Sequence, residues 1–156
     1  MAQHTGGNGA FTPSLTVDNW TLHADTAGDI FKIKKYGWGG RGVSSLGYRT
    51  RWTRPATDPT GAGTAIVQGR TSPGTVPLCG LNSAYATTQA VLTTDPGANL
   101  DAMDWNLQGG GGEIVLPIGG EWTGINAAVA GFSLVSCRNV AGVDANLSTY
   151  NVQWEE

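Results

Sequence analysis

Four carboxylates, Asp101, Asp104, Glu113 and Glu121, are the residues of this chain best suited by type to acid–base chemistry. A pair of them could cleave a glycosidic bond, one donating a proton while the other attacks or activates water, if the two lay ~5–10 Å apart. Their spacing places no two at that separation, so solvated surface carboxylates are the default reading. His4, His23, Cys79 and Cys137 are too scattered for the short-range pairs that hold zinc or iron. No serine sits in a Gly-x-Ser-x-Gly turn. Gly37-Trp-Gly39-Gly-Arg-Gly42 matches the dinucleotide fingerprint by letter, but that motif needs a helix starting at its end. Here Val43-Ser-Ser-Leu-Gly47 leads into a strand pattern. Gly109-Gly-Gly-Gly112 lacks the Lys-Ser/Thr ending of a phosphate loop and reads as a turn or bulge before Glu113–Ile118. The sequence therefore offers no catalytic constellation, metal set or cofactor site, and a non-enzymatic protein is expected.

Two binding chemistries remain. Arg49, Arg51 and Arg54 beside Tyr48 and Trp52 have the guanidinium–aromatic mixture that stacks on single-stranded nucleic acid. A net charge of −3 argues against it, because phosphate binding rests on a basic surface. A solvated or inter-subunit arginine face is the better reading. Six tryptophans also admit sugar stacking. Trp52 and Trp154 stand in alternating strands and read as core, whereas Trp38 and Trp122, in Gly-flanked turns, are the candidates for exposure.

The elements that must position these groups are short strands. The clearest is Ser148–Glu156, where Tyr150, Val152 and Trp154 alternate with Asn151, Gln153 and Glu155. Within Leu46–Arg54, Tyr48, Thr50 and Trp52 face one way and Arg49, Arg51 and Thr53 the other. Leu15–His23 changes phase at Asp18-Asn19, which suggests a bulge or a break there. Ile30–Tyr36 sets Phe31 and Ile33 against Lys32 and Lys34, and the following glycines are expected to break it. Thr64–Gln68, Ala90–Thr93, Leu100–Leu107, Glu113–Ile118 and Phe132–Arg138 complete the set, with 69–88 as a long ordered loop. Residues 1–13, polar and Gly-rich, read as a flexible extended arm closed by Phe11 and Pro13. No segment keeps a 3.6-residue apolar period over three turns, so almost no helix is expected. The fold class is all-β: an arm over 1–13, then an antiparallel β-sandwich or jelly roll over 14–156.

Composition agrees. A chain of 156 residues fits one domain with its own core, and 13% charged residues with 24 glycines suits many strands and turns. No apolar run reaches the ~20 residues of a membrane span, and no leader pattern is visible. A product made and kept in a cytosol is expected, with Cys79 and Cys137 as free thiols rather than a disulfide. Charge is split: residues 1–54 carry seven bases against three acids, and residues 55–156 carry two against nine. That split would suit head-to-tail contacts between copies, but ordinary solvated charge is the better reading by a small margin.

The layout resembles small phage and phage-like structural proteins. The resemblance rests on the extended arm, Tyr36-Gly-Trp-Gly-Gly40, the Tyr48–Trp52 strand, the Gly-rich turn into an apolar strand over Gly109–Ile118, and the Asn151–Glu156 ending. It implies a virion component made in the host cytoplasm, most of all a head decoration (cement) protein. Such proteins are β-sandwich oligomers, commonly homotrimers, seated on the major capsid protein, with no cofactor, membrane or nucleic-acid partner. The candidate contact residues are then Phe11 on the arm, Lys32 and Lys34, Arg49, Arg51 and Arg54, and the acidic terminus Glu155 and Glu156. The alternative is a carbohydrate- or receptor-binding module of a tail or head fibre, using Trp38 or Trp122.

Overall fold

Alternating apolar and polar residues make strands that bury one face, and in the computed structural model every regular element described is a strand. The structure describes residues 2–11, 15–24, 26–40, 47–55, 63–71, 76–83, 99–106, 111–125, 134–141 and 148–156. In chain order the strands are β1 (Gln3–Phe11), β2 (Trp20–His23), β3 (Ile30–Gly40), β4 (Gly47–Thr53), β5 (Thr64–Ala65) and β6 (Gln68–Arg70). They continue as β7 (Gly80–Ser83), β8 (Asn99–Asn106), β9 (Gly112–Val115), β10 (Trp122–Ile125), β11 (Leu134–Ala141) and β12 (Ser148–Glu155). Two antiparallel sheets pack face to face as a β-sandwich. The first runs β10-β3-β12-β1-β6, with β9 also on β3, and the second runs β5-β7-β2-β11-β4-β8.

The terminal strand is central. β12 lies between β3 and β1, and Ser148, Tyr150, Val152 and Trp154 are buried in strict alternation. This explains a large aromatic so near the chain's last residue. The segment expected to be a flexible arm is extended but not free. β1 pairs with β12 from Gln3 opposite Glu155 to Asn8 opposite Tyr150, and with β6 on its other side. Its glycines serve close approach: a Cβ on Gly6 would stand 2.3 Å from Leu81 Cδ2 of the second sheet. Phe11 ends β1 opposite Ser148.

β3 does not break at Gly37. It runs to Gly40 because a bulge absorbs the change of phase: Trp154 faces Ile33 while Gln153 faces Lys35, leaving Lys34 as the extra residue. Phe31 and Ile33 before the bulge, and Tyr36 after it, all enter the core. Two short edge strands cover the far side of β3. Each sets a bare glycine under an aromatic ring, Gly112 opposite Trp38 and Gly124 opposite Phe31. A Cβ would meet those rings at 2.5 and 2.0 Å respectively. The exposed backbone of an edge glycine is thereby shielded.

Other boundaries moved. β2 starts at Trp20, not Leu15, and the phase change at Asp18-Asn19 marks the entry to the strand. Asn19 N–H donates to Cys137 O at 2.7 Å, and Asp18 accepts from Thr21 Oγ1 at 2.8 Å while pairing with Arg138 at 2.7 Å. The loop expected over 69–88 contains β7 and the end of β6, and β10 was not anticipated. The candidate strand Ala90–Thr93 lies outside the described residues. Cys79 and Cys137 are buried free thiols.

Between the sheets, aromatic rings carry the packing. Tyr36 and Trp38 of the first sheet lie 4.7 and 5.8 Å from Trp52 of the second, and Tyr150 meets Trp105 edge-on at 6.3 Å. One polar island crosses the same space. Asn139 Oδ1 accepts from Tyr150 OH (2.7 Å), Thr50 Oγ1 (3.0 Å) and Asn19 Nδ2 (3.1 Å), and Trp105 Nε1 donates to Thr50 Oγ1 at 2.9 Å. A shared acceptor with three buried donors fixes the register of one sheet on the other.

Candidate functional site

The four carboxylates weighed for hydrolysis are each engaged. Asp101 of β8 accepts from Tyr36 OH across the sandwich and from the Ala102 amide at 2.8 Å. Asp104 makes a two-pronged pair with Arg49 directly across the β4–β8 ladder, both contacts at 2.8 Å. Glu113 pairs with Lys35 at 2.8 Å. Glu121 and Glu155 come together on one ammonium, with Lys34 Nζ at 2.8 Å from the first and 3.0 Å from the second. Two carboxylates thus share one site, but its chemistry is wrong for a general acid. The Lys34 bond, with the Gly119 amide in support, holds the Glu121 carboxyl at about 2, and a sugar-cleaving acid needs its pKa raised.

The expected contact residues do not form one face. Arg49 and Arg51 share the outer face of the second sheet, as their alternation implies, and Arg51 stands between Ala102 and Arg138. Arg54 lies past the end of β4, where burial pushes its guanidinium down. Lys32 and Lys34 lie on the first sheet. Lys34, expected to reach a neighbour, is bound within the chain, and the Glu121 and Glu155 bonds raise its pKa.

The acidic terminus is not free either. Glu155 is held by Lys34. Glu156 Oε2 accepts from the Leu78 amide at 2.7 Å, and Oε1 accepts from the Cys79 amide at 3.0 Å and from Trp154 Nε1 at 2.9 Å. His4 Nε2 lies 3.7 Å from the same carboxylate, and the Ala2 and Glu156 backbones exchange two bonds of 2.9 and 3.0 Å. Burial pushes the Glu156 carboxyl up, but these donors outweigh it and hold it below its usual range. Sequence reasoning took Glu156 for surface charge because the two backbone amides that it accepts from lie 78 and 77 residues away.

Trp38 and Trp122 are half-buried rather than exposed. Trp38 lies over Gly112 toward Trp52, and Trp122 stacks on Tyr36 with centroids 4.6 Å apart. Gly37, Gly39 and Gly124 belong to strands, whereas Gly119 and Gly120 form the turn before Trp122.

What the surface does present is apolar. Leu116 N–H closes onto Lys34 O at 2.8 Å, and Pro117–Gly120 then form a turn closed by a 2.9 Å bond from the Gly120 amide to Pro117 O. Gly119 has the φ of +86° that the third position of a type II turn requires. The Gly119 amide donates to Glu121 Oε2 at 2.7 Å, and Lys34 grips the other oxygen. The turn is thus pinned from both sides, yet its Ile118 is 98% exposed, and Val115 on β9 is 69% exposed. At the start of β3, an open groove of about 510 Å³ is lined by Gly28, Asp29, Ile30, Lys32, Leu78, Glu155 and Glu156. Ile30 and Leu78 are 45% and 64% exposed there. Ile118 was expected at a strand end; its place between a proline and two glycines was the available sign of a turn. No family model matches this chain, and no curated protein matches it.

Proposed function

We propose that this chain is a non-enzymatic structural protein of a phage-like particle, a head decoration (cement) protein that associates with itself and stabilises the outside of the shell. The phage-like motifs at Tyr36–Gly40, Tyr48–Trp52 and Asn151–Glu156 support the reading by resemblance. The observation that carries it is the pinned turn that holds Ile118 in solvent. An apolar side chain on a pre-ordered turn loses little entropy on docking, which is what a stapling subunit needs. The charged residues serve this role indirectly, since Glu121, Lys34 and Glu155 fix the surface rather than reach out from it.

The test is direct. Purified protein should run as an oligomer by light scattering, and should bind shells that lack it. A monomer with no affinity for shells overturns the proposal.

A further inference from the structure

We infer that two copies of this chain join edge to edge through β8, the two strands pairing antiparallel about a two-fold axis at Met103. The inference rests on the self-association in the structural-protein reading above and names its surface and its partner, a second copy of this chain.

An edge strand carries backbone donors and acceptors that another strand can pair. Among the described strands, the edges of both sheets are short except one. β5 has two residues, β6 three, and β9 and β10 four each, whereas β8 has eight and pairs only with β4. β8 holds no lysine or proline, which commonly guard an edge. Its two acids are committed within the chain, Asp104 to Arg49 and Asp101 to the Tyr36 hydroxyl. An inward-facing acid also guards an edge when covering it strands a charge, but Asp101 keeps that hydroxyl when covered. The apolar side of β8 is unfinished as well. Leu100, Met103 and Trp105 pack on the core yet stay half-buried. Where β1 meets β7, by contrast, the sandwich is sealed, with Leu81 and Trp154 at 1% and 0% exposure.

The register follows from which backbone groups face out. The Ala102 amide donates to Asp101 Oδ1 at 2.8 Å, so it points to the open edge. By the alternation of an antiparallel ladder, Asp104 and Asn106 also turn their backbones outward, while Met103 turns its own to β4. Outward residues pair only with outward residues, which leaves few choices. An axis at Asp101 or Asp104 sets like carboxylates against each other. An axis at Ala102 brings the Leu100 bulge inside the paired stretch. An axis at Met103 puts Ala102 opposite the partner's Asp104 and Asp101 opposite the partner's Trp105. No acid then faces an acid, the bulge falls at the end, and two half-buried methionines meet at the centre.

Two substitutions read this register. Met103 meets its own counterpart as a non-hydrogen-bonded pair, with Cα atoms ~4.5 Å apart, inside the ~4.4–6.8 Å that a disulfide spans. Met103→Cys treated with diamide should therefore form a covalent dimer. Val67→Cys, 92% exposed between β5 and β6 at the far edges, should cross-link only by chance collision. Cys79 and Cys137 are buried and should stay reduced. Ala102→Asp suits a single copy, because the new carboxylate faces Arg51 across the ladder. In the dimer it meets the partner's Asp104 on both sides of the axis. Sedimentation should show the dissociation constant raised about tenfold or more, with circular dichroism unchanged. Adding Asp104→Lys to Ala102→Asp should restore association, since opposite charges then face each other. Should that double variant fail to fold, the Met103→Cys cross-link decides. A Met103→Cys chain that cross-links no faster than Val67→Cys overturns the inference and leaves the structural-protein reading standing. So does an Ala102→Asp chain that associates like wild type. A wild-type chain that is monomeric yet binds shells overturns the inference alone; one that is monomeric and does not bind overturns both.

Discussion

Two glutamates that border the first sheet use the same device for opposite results. Glu156 gathers the Leu78 and Cys79 amides and the Trp154 indole, and so closes the sandwich over its last aromatic residue. Glu121 gathers the Gly119 amide and the Lys34 ammonium, and so holds Ile118 out in water. A carboxylate that accepts several charge-assisted bonds is a strong local fastener in either place. The difference lies in what is fastened. At the terminus the fastened segment covers core; at the β9–β10 turn it exposes an apolar side chain. Charge in this molecule positions surfaces, and at the β9–β10 turn the surface it positions is apolar.

The sharpest way to break the comparison is to remove the terminal fastener. Glu156→Ala strands the Cys79 amide and the Trp154 indole without acceptors and should cost about 3 kcal/mol, given the worth of hydrogen bonds to charged groups. Urea denaturation with an unchanged m-value would measure it. Glu156→Gln keeps an acceptor oxygen and should lose less. If both variants matched wild type, the terminus would be the free acidic tail that its sequence suggests, and the comparison would fail.

Next in size is the strand on which the turn stands. Gly124→Ala drives a methyl into the buried Phe31 ring, where the ideal Cβ already lies 2.0 Å from the ring edge. Overpacking of this kind costs about 1–3 kcal/mol. It should also free the turn, so deuterium exchange at the Gly119 amide should quicken. A stable variant with unaltered exchange would show that β10 does not hold the turn in place.

Much of this was legible in the sequence, but only where pattern is local. The alternation of Tyr48, Thr50 and Trp52, and of Tyr150, Val152 and Trp154, reports which faces are buried without help from distant residues. β1 is invisible to the same reading: His4-Thr-Gly-Gly has no apolar alternation, and it is a strand because β12 and β6 flank it and Leu81 needs Gly6 bare. β7 and β10 are four residues long, too short for a period to emerge. The fate of the charges was hidden for the same reason. Nothing local tells that Glu156 caps Cys79, or that Lys34, Glu121 and Glu155 share one site.

Acid should loosen both fasteners, and the turn's contribution can be isolated. The Glu121 carboxyl is held at about 2 against an ordinary 4.5, and Glu156 also lies below its ordinary value. A carboxyl with a lowered folded pKa stabilises fully above its unfolded value and loses that contribution as pH falls through its folded one. Melting temperature should therefore drop between about pH 4.5 and about pH 2. Glu121→Gln should start slightly lower and fall less steeply across that window. Parallel slopes for variant and wild type would remove Lys34 and Gly119 as the cause.

The smallest effect belongs to the pair that resembles the fasteners most on paper. Arg49 and Asp104 meet with two contacts of 2.8 Å, as close as any ion pair on the first sheet, yet both side chains are more than half exposed. Solvent competes for each partner, salt screens them, and neither captures a backbone amide among the bonds that hold the fold. Asp104→Asn should leave the unfolding midpoint unchanged in moderate salt, with a slight loss at low ionic strength. A large loss would mean that a two-pronged exposed pair is enough to fasten a strand, and that the amides gathered by Glu156 and Glu121 are incidental. The three carboxylates accept at similar distances, but Glu121 and Glu156 take bonds from backbone amides and Asp104 takes its two from an exposed guanidinium, and this substitution weighs that distinction directly.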